Sequence, residues 1–393
     1  MPAKKRQQQP YDDVAIVCPI TTDYVRYSNR SAHWFVARAL RKLIEQAGID
    51  KDAVDGLCIS SFQLVPDTAV GLTQHLGMAP RWLDHIPMGG ACGVVAMRRA
   101  GRAVQNGDAE VVACIGADAN QVDTFRNLLG SFSQYAQDAV YPYGSGGPNA
   151  SFAFLTDYYM REFGAERADF GKLCVAQRTN ALANPNALFK VPLTLEQYLS
   201  ARVIAEPLHL FDCVMPCAGA EGVLVMSRER AQDLHLPYAT LLSTIERHNA
   251  FPEDPIQMRG GWAMDKDDLY QSAGVTPADV DFPCTYDDYP IINAMQFEDL
   301  GFCAKGEAPE FIRANEFTWD GNFPLNPSGG QLSVGQAGAA GGYLGLVEAV
   351  RQLTNQAQGH QVKDAAVGMV SGFGMINYDR GLCTAAALLG RAS

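Results

Sequence analysis

No stretch of the 393 residues approaches 18 uninterrupted apolar positions, so no membrane-spanning helix is expected. None of the ten cysteines forms a Cys-x-x-Cys pair, and Cys213 and Cys217 have no histidine cluster beside them. A zinc site is therefore not expected. Histidine is scarce, at seven residues. His33, His75, His209 and His248 have no triad-like company, and His85 reads as a packed residue. Basic residues number 31 against 43 acidic ones, a net charge of −12 that argues against general nucleic-acid binding. No Gly-Lys-Ser/Thr follows a glycine loop, and no clean G-x-G-x-x-G follows a strand, so nucleotide binding of those types is not expected. The opening MPAKKRQQQ is basic but lacks the apolar stretch of a secretory signal, and residues 1–10 read as a frayed, disordered tail. The chain ends Arg-Ala-Ser rather than with an SKL-type peroxisomal address. With its thiols inside apolar segments, the chain reads as a reduced, cytoplasmic protein.

What is present is core-forming material: 47% apolar and 19% charged residues, enough for two or three structural units and too apolar for disorder. Two stretches share one layout. In residues 89–119 a Gly/Ala turn opens a helix (roughly 92–106), Asn106-Gly107-Asp108 ends it, and 110–116 reads as a buried strand. In residues 328–374 a Gly-rich loop opens a helix (roughly 338–354), a polar loop follows, and 365–371 reads as a strand. The repetition suggests an internal duplication. Alternating strand and helix units predict an α/β protein with mostly parallel sheets. Further strands are expected at 14–19, 54–60, 222–227 and 239–245, with an amphipathic helix over 32–47 ended by Gly48. The boundary between halves is set near 245, giving an N-terminal half of 11–245 and a C-terminal half of 246–393. Residues 121–205 are irregular and aromatic-rich and read as an excursion over one sheet end, a length usually functional or oligomeric.

A Gly-rich turn entering a helix presents free backbone N–H groups and the positive helix end, which stabilise an oxyanion or lower a thiol pKa. One such loop is explained by close helix packing. Two at matching places in two halves point to an active site between them.

At these residues the chain resembles the thiolase superfamily, in the branch of sterol-carrier-protein-associated thiolases and lipid-transfer-protein thiolase homologues. The resemblance is carried by GDAEVVACIGADA at 107–119, PLHLFDCVMPCAGAEGVLVMS at 207–227, YDDYPIINAMQFEDLGFC at 286–303 and NPSGGQLSVGQAGAAGG at 326–342. It implies a thiolase fold, two similar βαβαβαββ halves in a five-layered αβαβα arrangement. It also implies a dimer through the sheets and acyl-CoA substrates, in lipid or aromatic catabolism.

The superfamily's catalytic positions fall on altered residues. The nucleophilic cysteine, counted back without gaps from Gly107-Asp108, falls on Gly90. Cys92 lies two positions on, about 200° around a helix, and serves as nucleophile only if a gap intervenes. The turn that carries a histidine in the family reads Gly335-Gln336-Ala337, and Gln336 donates hydrogen bonds but takes no proton. The Asn or His of the family's NEAF-like or HDCF-like motif becomes Tyr286, an acid or base when its pKa is lowered. The second, proton-shuttling cysteine falls near Ser371, and Cys383 reads as core. Some homologues in this branch lack the nucleophile, cleave a 3-hydroxyacyl-CoA by retro-aldol reaction through tyrosines, and pair with a small zinc-ribbon/OB-fold subunit. In those homologues a second tyrosine stands at the position of Gln336; here Tyr289 or Tyr343 is the candidate to substitute for it.

The expected activity is thus C–C bond cleavage or formation beside a coenzyme A thioester, with no permanently bound cofactor. Retro-aldol chemistry is favoured, a thiolase using Cys92 is the alternative, and a non-catalytic scaffold subunit is the second alternative. Candidate catalytic residues are Tyr286, Gln336, Cys92 and Gly90, with Gly90 expected to open room for substrate. Candidate substrate-binding residues are Asp288, Tyr289, Gly335 and Gly374, and Asp287 or Asp288 is expected to orient Tyr286. Arg98, Arg99 and Arg102 are read as paired structurally rather than bound to CoA phosphates.

Overall fold

The computed structural model describes residues 8–124, 127, 133–145 and 147–392. Nine of the described strands form one sheet: β1 (Val14–Thr21), β2 (Gly56–Ser60), β3 (Trp82–His85), β4 (Val111–Asp118), β7 (Gly219–Ser227), β8 (Tyr238–His248), β9 (Phe282–Cys284), β10 (Val367–Asn377) and β11 (Arg380–Arg391). The short strands β5 (Val203–Ala205) and β6 (Leu208–His209) pair apart from it. The order across the large sheet is β3-β2-β4-β7-β1-β8-β11-β10-β9. Every residue of β1, β2 and β4 is buried, as expected of strands covered on both faces.

The duplication is visible in this order. Strands β2-β4-β7-β1 are one parallel pair followed by two antiparallel ones, and β9-β10-β11-β8 repeat the scheme. The two sets join where β1 meets β8. The expectation of mostly parallel sheets is corrected: only β2 with β3, β2 with β4, and β9 with β10 are parallel among the described strands. The β10–β11 connection is a tight turn at Tyr378 (φ 54°), and a tight turn can only join antiparallel strands. The sequence boundary at 245 falls inside β8, which continues to His248.

Apolar packing zones lie between the successive layers of backbone. The outer helix Ala32–Ala47 covers β1, β4 and β7 with Phe35, Val36, Ala39, Leu40 and Leu43. Its start is capped by Ser31, whose side chain accepts the Trp34 N–H, and its end by Gly48 at φ 65°. Helices Cys92–Gln105 and Gly341–Leu353 form the central layer, packed against strands of both halves. On the far side Trp262–Ala273 and Pro290–Asp299 complete the fifth layer. The two central helices meet at glycine: a Cβ on Gly93 would overlap the carbonyl oxygen of Gly342.

Part of the excursion is helical. Pro148–Phe163 and Arg167–Ala181 pack into the same apolar zone as Tyr286, Ile291 and Phe297 of the second half. The expected tail behaves differently from its description. Residues 1–7 lie outside the described residues, but Gln8 bonds Tyr11 and Thr244, and the carbonyls of Gln9 and Pro10 accept from Arg102. Arg98 and Arg99 pair with Glu246. No described helix is long and apolar enough to cross a membrane.

Candidate active site

The C-terminal ends of β4 and β9 and the glycine turns preceding the two central helices converge on a cavity of about 90 Å³, open to solvent. Ends of parallel strands beside helix N-termini are where α/β sheets place ligands. Its walls include Phe62, Phe152, Phe373 and Ile376. Gly90, Asp118, Tyr286, Asp288, Gln336 and Gly374 stand around it as well.

Tyr286 follows β9 and is held by its backbone. Its N–H donates to Gln296 Oε1 (3.2 Å), and its carbonyl accepts from Gln296 Nε2 (2.7 Å). Ser371, where the family's second cysteine falls, donates its hydroxyl to the same Gln296 oxygen and does not line the cavity. The Tyr286 ring lies against Gly90. A Cβ built at residue 90 would overlap two ring carbons and the carbonyl oxygen of Phe373. The room expected at Gly90 is therefore filled by tyrosine rather than substrate, and no thiol fits there while Tyr286 keeps this place.

Cys92 does not line the cavity. It is fully buried, its thiol donates to the Ala339 carbonyl (3.1 Å), and burial pushes its pKa up to about 12. A thiol so placed is not a ready nucleophile, which corrects the Cys92 alternative. Tyr343 is also buried in the central layer, within 3.2 Å of Ser60 Oγ. Tyr289 stacks on Phe152 (4.4 Å) and donates to Asn149 Oδ1 (2.5 Å). Neither tyrosine lines the cavity, so neither replaces the second tyrosine, and Tyr289 is corrected as a substrate contact. Gly335 is likewise behind the wall; its φ of 116° sets the turn that presents Gln336. Gly374 does line the cavity, and a Cβ there would overlap the Met88 carbonyl oxygen.

Gln336 is fixed through its backbone, which donates to Met215 (2.8 Å) and accepts from Cys217 (2.9 Å) in the segment before β7. Its Nε2 reaches Asp288 Oδ1 (2.5 Å), Tyr286 Oη (3.3 Å) and Gln331 Oε1 (3.3 Å). Asp287 turns the other way. It accepts the N–H groups of Gln331 (2.9 Å) and Leu332 (3.3 Å), and burial raises it to about 7. Asp288, half-buried at the cavity wall, is raised to about 8, chiefly by desolvation. Tyr286 is pushed well above its ordinary value by burial first and by the charge of Asp288 second.

Asp118 was not anticipated. At the end of β4 it accepts from Ser61 Oγ (2.6 Å), the Phe62 N–H (3.0 Å) and the Ala339 N–H (2.7 Å), and desolvation raises it to about 6. It thus ties the first half's strand to the second half's glycine loop. The signal available was an Asp at the end of a buried strand, in GADAN.

Residues 255–383 match the family described as thiolase C-terminal domain-like. The chain is 34% identical over 349 residues to the steroid side-chain-cleaving aldolase of Thermomonospora curvata, covering 84% of this chain and 87% of that protein. The chain belongs to the thiolase superfamily. Within that superfamily it is 32% identical to the 17-hydroxy-3-oxo-4-pregnene-20-carboxyl-CoA lyase of Mycobacterium tuberculosis, over 86% of this chain and 91% of that one. The solved structure named Ltp2-ChsH2(DUF35) aldolase superposes with a TM-score of 0.81 at 29% identity, over 97% of this chain and 98% of that chain. Thiolases proper are more distant: the acetyl-CoA acetyltransferase of Methanocaldococcus jannaschii is 28% identical over 92% of this chain and 94% of its own length.

Proposed function

We propose that this thiolase-superfamily enzyme cleaves the Cα–Cβ bond of a 3-hydroxyacyl-CoA by a retro-aldol reaction with no covalent acyl-enzyme. The observation that carries the reading is the Tyr286 ring lying against Gly90, which denies the nucleophile its place. Two relatives above 30% identity, named as an aldolase and a lyase, support it. Retro-aldol cleavage needs the β-hydroxyl proton removed and the departing thioester enolate held by donors. Gln336 Nε2 and the Tyr286 hydroxyl are donors on this cavity wall. Because Tyr286 is held strongly protonated, it serves as a donor and not as an anion. The apolar walls receive the acyl body.

Under this reading the coenzyme A thioester is substrate, no cofactor is held permanently, and residues 11–245 and 246–393 act as the two halves of the catalytic unit. The aldolase structure named for two components supports a partner subunit. A small zinc-ribbon/OB-fold protein as that partner, a homodimer of this chain and a cytoplasmic setting belong to the same proposal. The test is incubation of the chain, alone and with such a subunit, with 17-hydroxy-3-oxo-4-pregnene-20-carboxyl-CoA and with aliphatic and aromatic 3-hydroxyacyl-CoAs. Mass spectrometry should find a ketone or aldehyde plus a shortened acyl-CoA, unchanged in Cys92→Ala. An acyl adduct on Cys92 overturns the reading.

A further inference from the structure

We propose that Asp288 is the base that removes the β-hydroxyl proton, standing in function for the tyrosine that this chain lacks at Gln336. The inference rests on the retro-aldol reading and goes beyond it. Around the cavity, Gln336 carries no titratable proton. Asp118 is committed to three donors, Ser61, Phe62 and Ala339. Asp287 is committed to Gln331 and Leu332 and lies behind the wall. Asp288 lines the cavity, and its partners are the side chains of Gln336 and Tyr286, the same donors that the enolate requires.

The groups that face Asp288 make its charge costly. Tyr286, Asp287 and Tyr289 flank it on its own segment, Cys213 faces it from the loop between β6 and β7, and Gln336 faces it from the second-half turn. Among the described residues no cation faces it, and a carboxylate placed this way is a stronger base than one at the surface. Its raised value, about 8, lies in the working range of a general base.

The step balances without a co-reactant. The Asp288 carboxylate takes the β-hydroxyl proton, and the released O–H electron pair forms the new carbonyl. The Cα–Cβ bond breaks, and its pair enters the thioester as an enolate. Negative charge has then moved from Asp288 to the thioester oxygen, so the Gln336 and Tyr286 donors are released from one and available to the other. The proton on Asp288 returns to Cα, which restores the carboxylate and yields the shortened acyl-CoA.

The test compares wild type, Asp288→Asn, Asp288→Glu and Tyr286→Phe on a 3-hydroxyacyl-CoA that wild type cleaves. Asp288→Asn should lose on the order of 10²- to 10⁴-fold in kcat with KM changed far less. Wild-type kcat should rise about tenfold per pH unit up to a plateau near 8. That rise should vanish in Asp288→Asn, persist in Tyr286→Phe, and reappear with a shifted midpoint in Asp288→Glu. Retention of both rate and rise in Asp288→Asn overturns the inference while leaving retro-aldol cleavage intact. So does a rise that disappears only in Tyr286→Phe. Should Asp288→Asn fail to fold, Asp288→Glu decides: an unmoved midpoint overturns the assignment. Absence of cleavage by wild type removes the underlying reaction as well.

Discussion

Gly90→Ala tests the arrangement on which the functional reading depends. A methyl at residue 90 would overlap two carbons of the Tyr286 ring and the Phe373 carbonyl oxygen. Overpacking a filled core costs about 1–3 kcal/mol, and the upper end applies because one of the obstacles is backbone. For 393 residues the unfolding entropy is on the order of 0.8 kcal/mol/K, so about 3 kcal/mol lowers the melting temperature by about 4 °C. Tyr286→Ala removes the ring and leaves a cavity, costing about 3–5 kcal/mol by itself. In the double variant the ring overlap is gone and the Phe373 overlap stays. Urea titrations of the four proteins should give a coupling of about 1–2 kcal/mol, the double variant being more stable than the singles sum to. Activity should follow the ring: Gly90→Ala should lose as much kcat as Tyr286→Phe, since the shifted hydroxyl no longer meets Gln336. If Gly90→Ala changes stability by less than about 0.5 kcal/mol, or adds simply to Tyr286→Ala, the ring does not occupy that space and the reasoning fails.

Further tests address the other groups. Cys92→Ala should retain full turnover; with its thiol at about 12, on the order of 1 molecule in 10,000 or fewer carries the thiolate at pH 7.5, so native-state alkylation at Cys92 should be very slow. Gln336→Leu removes a donor aimed at the developing charge and should cost about 10²-fold in kcat with little change in melting. Tyr343→Phe should cost about 1 kcal/mol for its Ser60 contact and leave kcat unaltered. Stability should fall between pH 5 and 8, because Asp118 (about 6), Asp299 (about 6), Glu221 (about 7), Asp287 (about 7) and Asp288 (about 8) are all raised in the folded chain. Each contributes stability fully present below its unfolded pKa near 4 and lost as pH rises through the folded value, about 3 kcal/mol for Asp118. Stability rising over that interval would contradict their burial.

The elements that the sequence makes legible are those with local signals. The helix over 32–47 and the helices after the two glycine turns appear within a few residues of their expected bounds. Apolar runs foretell β1, β4 and β7, though β4 extends to Asp118, the carboxylate that ties the first half to the second-half glycine loop. The antiparallel partners have no such signal, since the neighbour of β1 depends on how two distant halves meet. The site divides the same way. Tyr286, Asp288, Gln336 and Gly374 line the cavity as the motif positions suggest. That the Tyr286 ring fills the space at Gly90, that Tyr289 turns to Asn149, and that Met215 and Cys217 pin the Gln336 turn are results of long-range packing. No spacing along the chain encodes them.

The backbone contact between Gly93 and Gly342 leaves no slack at the middle of the molecule. A drifting repeat can thicken a surface helix freely, but here neither twin can gain a single methyl unless its counterpart recoils. The reaction chamber spans that same seam, fastened by Asp118 to Ala339. Amide hydrogens at Ala339 and Leu332 should therefore exchange with deuterium only when the whole chain opens, marking a catalytic pocket as rigid as the protein's own keystone.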